Sequence, residues 1–349
     1  MDADPSNGVF QCDLNHGCLP LFSDVNMRRF VVYNVLHGVL GFGATSGLLG
    51  FRFKIPVGGP ALHFLTPGTV CSPLLPSVAG IFTRCCGGVP GQRSLVAVVC
   101  YALYVGLMVQ ALLAPQMTSF ELYPVYVLCG LCTVFDFSIF QAGRGEHYTY
   151  MMFCLAFNDW KSGLQVVQLG LWMWAGIAKI GPWFAPVIQF LTKDSLHTFL
   201  VPEHWMQRLL VKDYPYNTNP SILSAIIAWT AMGGEIVLPL CCIWPSLTAN
   251  IIGACGMAVY HGFIINTLPF ASVFEWNYFS IIMSFYLFFP GIGASSFSLP
   301  TSSGLIAFLC VVSLVLPLVG QLFPTLVPFL LAYRPYMGNW RFSWYVCHK

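Results

Sequence analysis

The sequence predicts an all-α integral membrane protein, a polytopic bundle of about eight transmembrane helices with a range of 7–9. Three observations predict it. Only 8% of the 349 residues are charged and 57% are hydrophobic, whereas soluble domains carry roughly 25% charged residues. Several segments run to about 20 apolar residues, the length that crosses a bilayer core of roughly 30 Å. These runs, such as "SLVAVVCYALYVGLMVQALL", lack the alternating polarity of a membrane β-strand, so helices are expected.

The apolar runs define the expected elements in chain order. Spans are predicted at residues 30–50, 94–113, 122–141, 163–181, 221–243, 250–270, 277–290 and 303–333. The glycine-rich first span contains the small-xxx-small spacing at 43–47 that lets helices approach closely. The short seventh span ends at Pro290, which predicts a tilted or re-entrant helix. The long eighth span is expected to break at Pro317 or Pro324.

The polar segment 1–29 precedes a single transmembrane domain, 30–349, in which two longer connections stand out. Residues 51–93 are rich in proline and glycine and predict an extramembrane loop. Residues 182–220 mix aromatic and charged side chains, a pattern typical of a short helix in the membrane interface. The sequence does not decide between a disulfide and two free thiols at Cys12 and Cys18. The "CGLC" pair, Cys129 and Cys132, lies within an apolar run and indicates packing rather than a redox or zinc site.

Composition and motifs exclude several function classes. The net charge of +2 comes without a basic stripe, so no nucleic-acid partner is expected. The chain has no HExxH, Walker, GxSxG or haem-attachment motif, and no metal site is predicted from spacing. Membrane lipids are the expected partners, and other membrane-protein subunits stay open.

Lys179 is the first ionisable residue inside a predicted span. Ionisable groups at membrane depth cost about 2.5–3.5 kcal/mol on insertion scales and mark functional sites by default. Helical spacing back from Lys179 gives one polar stripe of Gly176, Ala175, Trp172, Gln168 and Gln165. A polar stripe on an apolar helix is expected to face the bundle interior, where a lysine can act as a base or an amine nucleophile. The alternative is that the lysine stem extends to the lipid head groups near the helix end at Gly181.

Six further acids and histidines, together with Arg144, complete the candidate set. Glu235 lies behind two glycines in mid-span and is the obvious counter-ion for Lys179, in either a catalytic or a structural pair. His261 lies within a span, and Glu275 lies directly before the next one. Asp136 and the loop "GRGEH" (Arg144, Glu146 and His147) are the remaining ionisable groups. Lys179, Glu235 and His261 are the candidate catalytic residues, with Trp172, Gln168, Gln165 and Glu275 as candidate ligand contacts.

A series of motifs resembles a bacterial family of multi-pass transmembrane proteins of unknown function. The resemblance covers about residues 50–349 in consistent order and rests on "FLTPGTV", "GRGEHY", "WAGIAKI", "KDYPYNTNPS", "GGEIVLPL", "YHGFIINTLPFASVFEWN" and "YMGNWRFSW". It implies a membrane fold and leaves activity open.

More distantly, "WAGIAKIGPWF" followed by a span with Glu235 is similar to the horizontally transferred transmembrane domain, which includes the vitamin K-dependent γ-glutamyl carboxylase. In the carboxylase the equivalent segment resembles G-x-K-K-L, and its second lysine is the base toward reduced vitamin K. Lys179 stands at the position of that second lysine. Ala178 stands in place of the first lysine. The resemblance therefore implies a quinone-like or lipid ligand beside Lys179 and not glutamate carboxylation.

Two functions follow as expectations. The first is a lipid- or quinone-type ligand site around a buried lysine, with a membrane-embedded enzyme as its catalytic form. The second is a non-catalytic accessory subunit of a larger membrane complex. The first predicts a cavity that reaches Lys179, and the second predicts that the ionisable groups pair with one another inside the bundle.

Overall fold

A computed structural model describes residues 22–42, 59–85, 89, 91–193, 195, 201–267, 274–293 and 297–334. The fold is helical, with one two-stranded antiparallel hairpin in this part of the chain. The expectations for Cys12, Cys18 and the glycine spacing at 43–47 fall outside the described residues.

The elements follow one another in this order: α1 (Asp24–Val39), α2 (Gly59–Leu65), α3 (Pro76–Cys85), α4 (Leu95–Leu113), α5 (Ser119–Phe135), α6 (Phe137–Ala142), a π-helix (Gly145–Thr149), α7 (Tyr150–Cys154), α8 (Trp160–Ala178), α9 (Phe184–Lys193), α10 (Glu203–Leu210), β1 (Val211–Asp213), β2 (Asn217–Pro220), α11 (Ile222–Ile243), α12 (Leu247–Thr267), α13 (Phe274–Phe288), α14 (Ser303–Leu309), a second π-helix (Cys310–Val315) and α15 (Leu316–Leu322).

Four helical stretches in the described residues are long and apolar enough to cross a membrane: Leu95–Leu113, Ile222–Ile243, Leu247–Thr267 and Ser303–Leu322. α5 is apolar but shorter. These stretches support an integral membrane protein made of helices. The expected count of about eight spans is not confirmed, because several predicted spans are shorter, interrupted or more polar than expected.

The predicted span 122–141 is interrupted at Asp136. The backbone there is extended, and the residue ends α5 while its side chain caps the first turn of α6 by accepting a hydrogen bond from Ser138 N. An aspartate favours such caps because its side chain satisfies backbone donors that the helix leaves open. The predicted single helix is therefore two.

The predicted break at Pro317 does not occur, whereas the helix does end before Pro324. The stretch Ser303–Leu322 passes through Pro317 with the second π-helix directly before it. Because Pro317 has no N–H, the carbonyl of Ser313, one turn earlier, needs another donor. The indole Nε1 of Trp174 on α8 donates to that carbonyl at 2.8 Å. The Ser313 carbonyl thus receives a donor from a neighbouring helix.

The two predicted connections contain regular structure. The 51–93 region holds α2 and α3, and the 182–220 region holds α9, α10 and the hairpin, with Val211 paired to Pro220. Cys129 and Cys132 on α5 are buried free thiols, packed in the main core.

α8 lies at the centre of the bundle, with 13 of its 19 residues buried. It packs against α11, α13, α7 and the second π-helix. At one end of the bundle, Lys161 Nζ at the start of α8 lies 2.8 Å from Asp24 at the start of α1. The hydroxyl of Tyr286, near the end of α13, donates to the same Asp24 carboxylate at 2.9 Å. α1 and α13 therefore run in opposite directions.

Candidate functional site

The polar stripe of α8 is buried along its length. Gln165, Gln168, Trp172 and Lys179 are each exposed by 5% or less. The side chains bond to partners outside α8, so the stripe joins elements that are distant in sequence. Ala175 and Gly176 supply the small positions between Trp172 and Lys179.

Lys179 forms an ion pair with Glu235 of α11, and both residues are buried, at 5% and 4% exposure. The phenol of Tyr260 on α12 also interacts with Glu235. The Lys179 ammonium lies 5.5 Å from the centre of the Phe184 ring. The structure therefore places this ammonium inside the bundle, next to its expected counter-ion.

Gly176 allows α8 and α11 to approach at this ion pair. A Cβ atom on Gly176 would lie 2.9 Å from Ile236 Cγ1 and 3.2 Å from Glu235 Cβ. The close approach positions the carboxylate within reach of a lysine that ends α8, where the chain turns at Gly181 (φ 150°).

His261 has both ring nitrogens occupied. Trp172 Nε1 donates to His261 Nε2 at 2.8 Å, so Nε2 is unprotonated. His261 Nδ1 then carries the proton and donates to Asn277 Oδ1 at 2.7 Å. The imidazole is thus held as one neutral tautomer between α8 and α13.

The two glutamines of the stripe are also paired. Gln168 Oε1 lies 2.9 Å from His147 Nε2, and its amide donates to Ser280 Oγ at 3.4 Å. Gln165 donates to the carbonyl of Leu287 at 2.8 Å and accepts from Ser298 N at 3.2 Å. These hydrogen bonds tie α8 to α13 and to the π-helix at 145–149.

Glu275 does not join the Lys179 cluster. Its Oε1 accepts a hydrogen bond from the Tyr148 hydroxyl at 3.3 Å, next to the buried pair of Arg144 and Glu146, which are 3.1 Å apart. The Arg144 guanidinium lies 3.9 Å from the centre of the Trp276 ring. The "GRGEHY" and "FEWN" motifs therefore meet at a second polar cluster. Arg144 has a left-handed backbone (φ 51°), a conformation uncommon for residues other than glycine.

Sequence reasoning missed Arg93 as the partner of Asp136. The two form an ion pair with fully buried side chains, and the Arg93 guanidinium lies 5.0 Å from the centre of the Phe64 ring. Asp136 Oδ1 also accepts from Ser72 N at 3.1 Å. The sequence did contain a signal for this pair. The basic Arg93 stands immediately before the apolar run 94–113, and the acidic Asp136 stands towards the end of the next apolar run, 122–141.

In the part of the chain that the structure describes, no three His, Cys, Asp or Glu side chains come together as a group that could hold a metal ion. His147, on the first π-helix, bonds to the amide of Gln168, whereas His261, on α12, bonds to the amide of Asn277.

Two clefts open between α1 and α13. The Glu275 cleft, about 360 Å³, is lined by His37, Phe42, Phe274, Glu275 and Tyr278. The Arg29 cleft, about 380 Å³, is lined by Asn26, Met27, Arg29, Phe30, Tyr33, Leu112 and Ile282. Of the residues predicted to contact a ligand, Glu275 alone lines either of these clefts.

The family described as "transmembrane protein of unknown function (DUF3556)" matches residues 23–349 of this chain. No curated protein and no solved structure matches it. The similarity of "WAGIAKIGPWF" to the γ-glutamyl carboxylase group therefore gains no support. Because the match covers nearly the whole sequence, the chain belongs to this family of transmembrane proteins of unknown function.

Proposed function

We propose that this integral membrane protein binds a lipid in the groove between α1 and α13, and not around Lys179. The observation that carries the proposal is the position of the two clefts. Both clefts lie along the same pair of antiparallel helices, and most of their lining residues are apolar. We take them as the two parts of one elongated groove.

The continuity of the groove follows from helical spacing. On α13, Phe274, Tyr278 and Ile282 follow at four-residue intervals and line one cleft after the other. On α1, Tyr33 lines one cleft and His37 the other, and their ring centres are 5.8 Å apart. The Phe30 and Phe279 rings stack at 5.1 Å and hold α1 against α13 between these positions.

The dimensions suit one lipid chain. From Asn26 to His37, α1 rises about 17 Å at roughly 1.5 Å per residue. Each cleft is at the lower end of the roughly 300–1,000 Å³ typical of ligand pockets. Tyr33 and Tyr278 are 51% and 58% exposed, so the groove opens sideways along its length.

The α8 stripe supports a structural role instead. Lys179 is paired with Glu235, and both ring nitrogens of His261 are hydrogen-bonded. In Gln165 and Gln168, the side-chain oxygen and the side-chain nitrogen each have a hydrogen-bond partner. A ligand at Lys179 would have to displace the buried carboxylate, which would leave an uncompensated charge at a cost of about 3–5 kcal/mol.

Saturable photolabelling tests the proposal. The full-length protein, purified in mild detergent, is incubated with a phosphatidylcholine that carries a diazirine in its acyl chain, and adducts are mapped by peptide mass spectrometry. We expect adducts in α1 and α13 that unlabelled lipid competes away. Adducts on α11 and α12, which line neither cleft, should be weaker and rise in proportion to probe concentration. Equal, non-saturable labelling of all four helices would overturn the proposal.

A matched pair of variants sharpens this test. Ile282→Trp fills the Arg29 cleft and should remove most of the saturable labelling. Ile252→Trp makes the same change at an exposed position of α12 and should leave labelling intact. The mapping of adducts in the unaltered protein decides the proposal even if the Ile282 variant does not fold.

A non-catalytic accessory subunit is the second candidate function. It is favoured by the internal pairing of the polar stripe, which this hypothesis predicted. Co-purification of stoichiometric membrane partners in mild detergent, without a saturable lipid site, would support it over the lipid-binding proposal.

A further inference from the structure

We infer that Arg29 binds the phosphate group of the lipid, and that the lipid chain extends along the groove toward the Glu275 cleft. This inference rests on the proposed lipid-binding function and assigns the head-group chemistry and the orientation of the ligand. The observation that carries it is the Arg29 side chain, which lines the groove at head-group depth and pairs with no carboxylate among the described residues.

The Arg29 guanidinium lies at the depth of the lipid head groups. Its Nη2 donates to the carbonyls of Ala114 at 2.6 Å and Pro115 at 3.1 Å. These two residues directly follow α4, which is long and apolar enough to cross a membrane. A helix of this length rises about 28 Å, close to the roughly 30 Å of a bilayer core, so its ends lie near the head groups. This is the depth at which a lipid carries its phosphate.

The Glu275 cleft lies deeper in the membrane. The Tyr101 hydroxyl donates to the carbonyl of Val39 at 2.8 Å, so the end of α1 packs beside the first half of α4, and the two helices run in opposite directions. Tyr101 lies about 9 Å along α4 from its first residue, at roughly 1.5 Å per residue. His37, which lines the Glu275 cleft, comes shortly before Val39 on α1. The groove therefore runs from the head groups at Arg29 into the hydrocarbon, as an acyl chain does.

Arg29 has donors that its protein partners do not use. A guanidinium carries five N–H donors, and both bonds to the carbonyls after α4 come from Nη2. Its Nε is buried and has no hydrogen-bond partner within the described part of the chain. Guanidinium groups with open donors favour phosphate, because two parallel charge-assisted hydrogen bonds form between them.

The acids at the ends of the neighbouring helices are paired with groups other than Arg29. Asp24, at the start of α1, lies 2.8 Å from Lys161. Glu121, in the first turn of α5, accepts a hydrogen bond from Thr118 N at 2.9 Å in a capping box. Neither carboxylate forms a described ion pair with Arg29, so an anionic ligand would not have to displace one.

Arg28 adds a second cation beside Arg29. It donates to the carbonyl of Met117 at 3.0 Å, and its guanidinium lies 4.8 Å from the centre of the Trp160 ring. Asp159, next to Trp160 in the sequence, accepts from the backbone before α14 instead. The connection between α4 and α5 is therefore held by two adjacent guanidinium groups, a setting that attracts an anion.

The wall next to the guanidinium suits the first part of the lipid chain. Most of the lining of the Arg29 cleft is apolar, namely Met27, Phe30, Leu112 and Ile282. Leu112 lies just before Ala114, whose carbonyl binds Arg29. A chain attached to a phosphate at Arg29 would thus enter the apolar groove directly.

Competition between two lipids of one chain length tests the head-group chemistry. Lysophosphatidic acid and monoacylglycerol share a glycerol ester and a chain and differ in the phosphate. We expect lysophosphatidic acid to displace the photolabel at an about tenfold lower mole fraction in the detergent, since charge-assisted hydrogen bonds are roughly twice as strong as neutral ones. Glycerol 3-phosphate, which has no chain, should not compete at the same concentration, and equal competition by it would overturn the inference.

Two photolabels test the orientation. One carries its diazirine beside the ester and the other at the end of the chain. The first should label α1 around Arg29, and the second should label the start of α13 around Phe274 and Tyr278. The reverse pattern would overturn the inference.

Arg29→Gln should narrow the preference for the phosphate to about twofold while saturable labelling persists, because the variant loses the charge and keeps an apolar groove. Arg29→Lys keeps the charge and loses the planar fork, so it should retain part of the preference. Arg208→Gln, at an exposed arginine of α10 that lines neither cleft, is the matched control and should keep the full preference.

The outcomes separate the two proposals. Saturable labelling with equal or stronger competition by monoacylglycerol would overturn the head-group inference and leave the lipid-binding proposal intact. Absence of saturable labelling would overturn both. The preference of the unaltered protein is decisive even if the Arg29 variants do not fold.

Discussion

α4 and α8 have the same length, 19 residues, and opposite characters. α4 has no charged residue and buries five of its residues, whereas α8 contains two glutamines and Lys161 and buries 13. The more polar helix is therefore the more buried one. In lipid this is the expected order, because a polar side chain finds partners inside the bundle and none in the hydrocarbon.

The comparison shows where specificity resides in this fold. α4 can meet lipid along most of its surface, so its apolar side chains are largely interchangeable. α8 instead makes directed bonds to α11, α12, α13 and the second π-helix through Glu235, His261, Ser280 and Ser313. Changes on α8 should therefore be costly and changes on α4 small.

The largest expected effect is at the buried ion pair. Lys179→Met should lower the free energy of unfolding by about 3–5 kcal/mol, because the buried Glu235 carboxylate loses its counter-ion. The double variant Lys179→Met/Glu235→Leu should recover most of that loss, since apolar pairs replace buried ion pairs well. Thermal unfolding followed by size-exclusion chromatography in detergent measures both.

Gln110→Met on α4 is the control, since Gln110 is exposed on an outward helix and its replacement should be close to neutral. If Lys179→Met lowers the stability as little as Gln110→Met does, the ion pair does not hold α8 to α11. The expected difference in sensitivity between α8 and α4 would then be wrong at this position.

A glycine-to-alanine pair gives the next largest difference. Gly176→Ala should destabilise by about 1–3 kcal/mol through overpacking, because its Cβ would meet Ile236 at 2.9 Å. Gly106→Ala on α4 meets nothing within 4 Å and should stabilise by about 0.5–1 kcal/mol through helix propensity. Chemical denaturation in mixed micelles compares them, and effects of the same sign would contradict the packing argument.

Much of the central helix could be predicted from the sequence. Periodicity placed Gln165, Gln168, Trp172 and Lys179 on one face, and the cost of a charge in lipid directed that face inward. The choice of Glu235 as counter-ion followed from the same cost. What each polar group bonds to could not be predicted, because the partners His147, Asn277 and Ser280 come from other elements.

The expected span count is not confirmed, and two particular residues show why the sequence was hard to interpret here. Asp136 interrupts a predicted span because Arg93, 43 residues earlier, neutralises it, and such a long-range pair leaves no periodic signal. Pro317 stays inside a helix because Trp174 satisfies the open carbonyl. The groove between α1 and α13 was also beyond sequence reasoning, since it depends on how two helices distant in sequence lie together.

Trp174→Phe tests the hydrogen bond from the Trp174 indole to the Ser313 carbonyl, which lies one turn before Pro317. The Ser313 carbonyl would lose its donor, at a cost of about 1 kcal/mol, which is typical of a single hydrogen bond in a membrane protein or a core. Trp229→Phe on α11, at an exposed position, is the matched control and should be neutral. Equal unfolding temperatures for the two variants would show that the proline site needs no partner.

The smallest expected effect is a pH dependence at Asp159, at the start of α8. Its carboxylate accepts from Thr301 N at 2.6 Å and Ser302 N at 2.9 Å and so ties α14 to α8. Partial burial raises the pKa of Asp159, but the backbone donors of Ser302 and Thr301 outweigh it and hold the pKa below its ordinary value of 3.8. A carboxyl group whose pKa is lower in the folded than in the unfolded state stabilises the fold at pH values above its unfolded-state pKa. This stabilisation is lost as the pH falls through the folded-state pKa.

Asp159→Asn should therefore reduce the unfolding temperature slightly at pH 6, and the difference from the unaltered protein should shrink as pH falls below about 4. The effect stays small because the carboxylate lies near water, where screening weakens such bonds. Asp213→Asn on the hairpin, which lacks such donors among the described residues, should show no pH-dependent difference. A deficit that persists unchanged at low pH would mean that the amide, and not the lost charge, weakens the link between α8 and α14.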